Sequence, residues 1–414
     1  LFHGLSALNT AVVECNGIPT DHKLLTEFNK KFPIIKDQMI REINKKINVY
    51  EEDNSFNHKK FKNFIKRIGL LQRWPKTETG ILSTTEKVIY NFAQENKDVS
   101  EFYFCKEFID SDKLKGFVLG PDKRSRTSLN MFQINTGRTN PSTSRYPFNA
   151  PKFMRNFMKP DPKHSFIYAD YVSQEPGIAA WLSKDENLIE AYNSKDIYLY
   201  APIRTGAMPA DASKDKFPIE RELHKRALLA TFYGQKEKSL SISLDITLDQ
   251  AVTMLADITK SYPKYFEWVR KSVSKSLVRG YQITKFGWRR NIEYGGQINH
   301  RSLYNFMCQA HGSEMLRLAL NNLTEKKFEI NALVHDGILL HVPCKNVEAK
   351  EKQIISIMEN ASKILLGKES RIRVETKIIS SNYKQNEEEQ KKFDRIMKAF
   401  DASSVSETQQ VCTT

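Results

Sequence analysis

The run 333-LVHDGILLHVP-343 is apolar, breaks at His335-Asp336-Gly337 and becomes apolar again. No other stretch restricts the fold as much. Two apolar runs around Asp-Gly specify an antiparallel hairpin closed by a two-residue type I′ turn, which needs positive φ at both turn residues. A second run, 165-SFIYADY-171, reads as a short buried strand that ends on the carboxylate of Asp170. Asp336 therefore has two readings, the corner of a hairpin or a catalytic carboxylate at a strand end.

The remaining pattern is mostly helical. Residues 21 to 66 are strongly charged with apolar positions at helical spacing, which predicts long exposed amphipathic helices forming an arm and not a core. From Phe132 the chain is rich in turn formers until the strand at 165–171. Helical spacing returns over 176–193, and a turn-rich stretch, 201–218, precedes a long helix starting near Ile219. A helix over 263–280 leads into a hairpin over 281–292 with Phe286-Gly287 near its turn. Further helices are predicted at about 301–325 and 346–366, a last strand at 372–379, then a charged helix running into a polar, disordered tail. No repeat of solenoid period is present.

A chain of 414 residues exceeds the size at which one core stops growing, so two or three subdomains are expected. Sixty-four Lys and Arg against 49 Asp and Glu leave a formal charge of +15, which suits a polyanion such as nucleic acid or an anionic membrane surface, or a merely lysine-rich soluble protein. No apolar run approaches the length needed to span a bilayer and no signal peptide pattern opens the chain, so a cytoplasmic location without membrane contact is expected. Five scattered cysteines without a C-x-x-C pair suggest neither a disulfide framework nor a zinc site. The chain starts at Leu1 rather than Met, as a fragment or processed product would.

Three features carry candidate chemistry. Asp170 sits where a strand ends, and Glu175 follows at the start of a helix; the pair can hold a hard cation such as Mg²⁺, or cap the helix and complement its dipole. Arg221, Lys225, Leu229 and Tyr233 recur every fourth residue on the helix that Gly234 terminates, forming a slowly winding stripe from two cations to an aromatic ring. A nucleoside triphosphate has the same polarity along its length, although an amphipathic helix with a basic outer edge gives the same pattern. Asp336 is the third. Two aspartates far apart in sequence, each at a strand end, can jointly bind two metal ions for in-line displacement at phosphorus.

In this order the residues resemble the polymerase domain of family-A DNA polymerases, the bacterial DNA polymerase I type, over roughly residues 7 to 380. The family motif DYSQIE-LRIAAHLSGDE is similar to 170-DYVSQEPGIAAWLSKDE-186, R-x₃-K-x₇-YG is matched by Arg221, Lys225, Tyr233 and Gly234, and VHDE is similar to 334-VHDG-337. Thr136-Gly137-Arg138, 280-GYQITKFGWRR-290, the series Arg301, Asn305, Gln309, and 11-AVVECNGIPTD-21 resemble further landmarks.

The resemblance implies an α+β class and a right-hand polymerase fold with an antiparallel palm sheet, helical thumb and helical fingers. Its parts would be a palm-associated segment (1–24), thumb (25–120), palm with the first motif (121–190), fingers (191–300), palm with the third motif (301–383) and a terminal helix and tail (384–414). It implies a DNA-directed DNA polymerase that adds deoxynucleotides to a primer 3′-hydroxyl, with no exonuclease in this chain, acting as a monomer on primer-template DNA. Asp170, Asp336 and Lys225 would be catalytic. Asp170, Asp336 and Tyr171 would hold two Mg²⁺, with Mn²⁺ able to substitute. Arg221, Lys225, Leu229, Tyr233, Glu175, Tyr198 and Gln174 would bind the nucleotide, Glu175 as steric gate against a ribose 2′-hydroxyl. Arg138, Asn149, Gly234, Arg289, Arg301, Asn305, Gln309 and His335 would contact DNA.

The chain departs from the family pattern in four places. Gly337 replaces the acidic residue after the third-motif aspartate, Leu229 stands where Phe or Tyr is usual, Tyr198 where His is common, and Val172-Ser173-Gln174-Glu175-Pro176 replaces Ser-Gln-Ile-Glu-Leu. These mark a divergent, phage- or plasmid-like member. They also keep open a nucleic-acid-binding protein with a degenerate site, and a template-independent or RNA-templated polymerase.

Overall fold

Both aspartate-bearing runs become strands of one sheet. The computed structural model describes residues 1–110, 117–142, 146–292, 300–384 and 386–411, with side chains as far as Asp401. The chain separates into two units, the first made of Leu1–Asn16, Leu129–Asn140 and Lys163–Ile378, the second of Gly17–Ser128, Pro141–Pro162 and Ile379–Thr414.

The first unit contains α1 (Phe2–Asn16), β1 (His164–Tyr171), α2 (Gln174–Ser183), α3 (Glu186–Asn193), α4 (Ile197–Arg204), α5 (Pro218–Phe232), α6 (Glu237–Leu244), α7 (Leu248–Ser261) and α8 (Pro263–Arg279). It continues through β2 (Tyr281–Ile283), β3 (Arg289–Asn291), α9 (His300–Glu325), β4 (Glu329–Val334), β5 (Gly337–Pro343), α10 (Val347–Leu366) and β6 (Val374–Ile379). Four strands form a sheet in the order β6-β1-β5-β4. Antiparallel pairing sets Asp170 of β1 opposite Gly337 of β5, and Val334 of β4 opposite the same glycine. Continuous burial of β5 from Gly337 to Val342 reflects its place between two strands and under helices. Helix α9 packs on α1, α2 and α10, and α10 also lies on β1.

The hairpin turn differs from the type I′ expectation. Val334 pairs with Gly337, so the two-residue loop is His335-Asp336. His335 has φ 55°, while neither Asp336 nor Gly337 has positive φ. The register of the sheet has moved the turn one residue towards the N-terminus of the Asp-Gly pair, and Gly337 is the first residue of β5.

Other boundaries also moved. The 176–193 pattern is two helices, broken at Lys184 (φ 54°) and restarted where the Asp185 carboxylate accepts from the Leu188 N–H at 3.0 Å. The stretch expected to be turn-rich from 201 is helical as far as Arg204, because α4 begins earlier on an Asp196 cap and runs through Pro202. Helix α5 starts at Pro218 and stops before Gly234, whose φ of 72° ends it as expected. The β2–β3 hairpin turns at Gly287, with φ 89°.

In the second unit, the 21–66 stretch is not an exposed arm. Its helix His22–Lys46 buries Leu25, Phe28, Phe32, Ile35, Met39, Ile40 and Ile43, and His58–Arg67 buries Phe61, Phe64 and Ile65. Phe28 meets Phe157 and Phe32 meets Phe108, so the apolar stripe of a charged helix serves an aromatic core. Asp21, Asn57 and Asn96 cap helices of this unit through their side chains. The final helix is Glu387–Val411, and the polar tail expected after it lies outside the described residues, as does Cys412. Among the described residues, no helix is long and apolar enough to cross a membrane.

Candidate active site

Asp170 is the penultimate residue of β1, and the pairing of β1 with β5 carries it to the mouth of the β4–β5 turn where Asp336 stands. The two carboxyl groups are in hydrogen-bond contact, and the Tyr171 N–H points to the Asp336 carbonyl at 3.4 Å. Burial, the charge of Asp336 and the hydrogen bond to it push the Asp170 carboxyl well above the ordinary carboxylate range. Asp336 is also raised, by burial, although its own backbone N–H, Arg138 and His335 oppose the shift. Oδ1 of Asp170 is buried and accepts no hydrogen bond.

Two facing carboxylates with an unpartnered buried oxygen fit a hard divalent cation, and Mg²⁺ is commonly held by only one or two carboxylates beside water and phosphate oxygens. Among the described residues, no group of three His, Cys, Asp or Glu converges as a metal site. The Tyr171 side chain is buried and donates to the Met358 carbonyl at 2.8 Å, which leaves its main-chain carbonyl as the atom able to join the set.

Glu175, in the first turn of α2, has the opposite environment. Its Oε1 receives Arg138 at 2.5 Å and Gln309 at 3.4 Å, while Oε2 receives the Tyr233 hydroxyl and the Asn305 amide, both at 2.8 Å. Gln309 also reaches the Tyr233 oxygen at 3.1 Å. Four residues singled out in the sequence thus meet around the carboxylate of a fifth. Burial and the adjacent Glu175 charge raise the Tyr233 hydroxyl to about 12, so it remains a donor at neutral pH. Arg138 is aimed by the turn before it. Gly137 has φ 70°, and a Cβ there would lie 3.0 Å from the Trp288 ring, so both conformation and space require glycine.

A cavity of about 1000 Å³ adjoins Asp170 and is lined in part by Tyr198, Lys214, Arg221, Lys225 and Arg373. The α5 stripe is therefore split between two surroundings, its cations on the cavity and Tyr233 on the Glu175 cluster, with Leu229 half-buried between them. Arg221 donates from Nε to Asp196 at 2.5 Å and lies 5.0 Å from the centre of the Tyr198 ring. Lys225 stands 3.3 Å from Glu222 and is partly exposed. The Tyr198 hydroxyl accepts from Ser173 at 3.0 Å, and Ser173 holds a left-handed backbone (φ 47°) between strand and helix.

The other expected site residues have surroundings of their own. Gln174 is buried, with its amide 3.5 Å from the Gly312 carbonyl. Gly234 is the helix terminator, approached by the Tyr304 side chain. Arg289 stacks 4.1 Å over Tyr281, Arg301 donates to Ser239 at 3.1 Å, and His335 is exposed on the turn. Asn149 belongs to the second unit, exposed at the end of a 3-10 turn. Asp196 was missed in the sequence. Its cap position before α4 was legible, but its second oxygen on Arg221 depends on the packing of α4 against α5.

DNA polymerase family A matches residues 21–385 of the chain. DNA polymerase I of Aquifex aeolicus is 28% identical over 399 residues, covering 89% of this chain and 64% of that protein. The thermostable DNA polymerase I of Thermus aquaticus is 26% identical over 311 residues, covering 69% of this chain and 36% of its own length. The chain thus spans between about a third and two thirds of these curated relatives. A solved structure, the POL domain of Pol1 from M. smegmatis in complex with DNA primer-template and dNTP, superposes with a TM-score of 0.74 at 19% identity, covering 92% of this chain and 70% of that one. The fold is accordingly the α+β right-hand polymerase fold. With the family match spanning most of its length, the chain belongs to DNA polymerase family A.

Proposed function

We propose that the chain is a DNA-directed DNA polymerase that extends a primer 3′-hydroxyl with deoxynucleotides. The observation that carries this reading is the meeting of Asp170 and Asp336, from distant parts of the sequence, beside a cavity lined by Arg221 and Lys225. Asp170 and Asp336, with the Tyr171 carbonyl, would hold two Mg²⁺, or Mn²⁺ in their place. When bound, such ions supply positive charge to the attacking and leaving oxygens at phosphorus.

The chain's own groups do the rest. Lys225 and Arg221 neutralise the triphosphate, and Arg221 gives up Asp196 for it. Leu229, Tyr233 and Tyr198 face sugar and base, and Glu175, immobilised by four donors, crowds a ribose 2′-hydroxyl. Arg138, Asn305, Gln309 and His335 border the same region and would meet primer or template. The four-stranded sheet would be the palm, α4 to α8 the fingers, and the lysine-rich helices of the second unit a thumb following duplex backbone. The chain would act as a monomer. Primer extension with Mg²⁺ and four deoxynucleotides tests the reading: extension that requires template DNA supports it, and intact DNA binding without extension rejects it.

A further inference from the structure

Gly337 is glycine for want of space, not for backbone freedom. It lies in regular strand pairing without a positive φ, so its conformation is open to any L-residue. A Cβ at this position would stand 2.6 Å from the Tyr168 hydroxyl oxygen, and 2.9 Å from both Tyr168 Cζ and Asp170 Oδ1. Tyr168 and Asp170 are two residues apart on β1 and so project from one face, while residue 337 lies directly opposite Asp170. The phenol crosses diagonally into the volume that a side chain at 337 would fill.

We propose that Tyr168 is a positioning residue for Asp170, its hydroxyl end walling the carboxylate in from the side that position 337 leaves open. Tyr168 and Gly337 then form a coupled pair. The role presupposes the cation-binding reading of Asp170 and Asp336. It also accounts for the departure from the family pattern at Gly337: a neutral phenol stands where an acidic side chain is usual, so the chain meets its cation with two carboxylates and a wall. Oδ1 accepts no hydrogen bond, so the phenol bears on it only through the volume it fills beside position 337.

The test uses the whole chain, melted in EDTA and then titrated with MgCl₂. Gly337→Ala alone should lower the EDTA Tm by roughly 2–6 °C, the cost of overpacking. Gly337→Ala combined with Tyr168→Ser should show a clearly smaller loss relative to Tyr168→Ser, the contact with Asp170 Oδ1 being the part that remains. Tyr168→Phe keeps the ring and should leave the EDTA Tm near that of wild type, while raising the Mg²⁺ concentration for half-maximal thermal stabilisation at least threefold. An equal Gly337→Ala penalty in both backgrounds overturns the coupling. A wild-type Mg²⁺ response in Tyr168→Phe, or no Mg²⁺ response in the wild type, overturns the positioning role. A chain that responds to Mg²⁺ as described but never extends a primer leaves this inference standing and rejects the polymerase reading.

Discussion

Asp170 and Glu175 are five residues apart on one strand, turn and helix, and their carboxylates are treated in opposite ways. Glu175 receives Arg138, Gln309, Tyr233 and Asn305, enough donors to occupy its acceptor sites. Asp170 faces another carboxylate and leaves Oδ1 without a partner. The chain completes the first site with its own side chains and leaves the second electrostatically unbalanced. A fold retains a buried like-charged pair when function needs it, because each carboxylate raises the free energy of the other. Stability and activity should therefore respond in opposite senses at the two positions.

The largest effect is expected at the unbalanced pair. Asp336→Asn should reduce primer extension by roughly a thousandfold or more, since the lost electrostatic stabilisation at phosphorus amounts to several kcal/mol. DNA affinity should stay within about twofold. The same variant should melt higher than wild type in EDTA at neutral pH, because it replaces a buried acid pair that resists ionisation with a neutral partner and keeps the hydrogen-bonding capacity. A lower Tm in EDTA would mean that the pair is not a source of repulsion.

Glu175→Ala should do the reverse. It strips a shared acceptor from Arg138, Tyr233 and Asn305 and should cost about 1–3 kcal/mol of stability by thermal melting. Ribonucleotide insertion in an extension assay should rise at the same time. Unchanged sugar selectivity would leave Glu175 as a structural hub alone, and an unchanged Tm would show that its four contacts do not persist in solution.

The asymmetry was half-visible in the sequence. Asp170 at a strand end, the four-residue spacing of Arg221, Lys225, Leu229 and Tyr233, and the helix stop at Gly234 all follow from local periodicity, and they appear as expected. The convergence of Arg138, Asn305 and Gln309 on Glu175 did not follow from periodicity, because it requires three elements from separate parts of the chain. At the hairpin, Asp-Gly composition favoured positive φ at both residues, but pairing of Val334 with Gly337 outweighed that preference and left His335 as the left-handed residue. Position 337 instead answers to Tyr168, a neighbour only through the register of β1 on β5. The helices of 21–66 were legible and their burial was not, since a charged stripe opposite an apolar one says nothing of what the apolar side meets.

The smallest effect is expected in the pH dependence of stability. A carboxylate whose pKa is higher in the folded than in the unfolded chain binds more protons when folded, so stability is greatest below the unfolded value, near 4, and falls as pH rises through the folded value. Asp170 is shifted in this direction by burial and by Asp336. In EDTA, the wild-type Tm should therefore decline from mildly acidic towards alkaline pH. Glu107, raised to about 7 by burial in the second unit, contributes with the same sign, so the informative quantity is the difference from Asp170→Asn. That variant should flatten the slope by roughly 1–3 °C across the range. Saturating Mg²⁺ should flatten the wild-type slope too, because a cation favours the deprotonated carboxylates that the metal-free fold resists. A slope equal in wild type and Asp170→Asn would place the repulsion elsewhere than at Asp170.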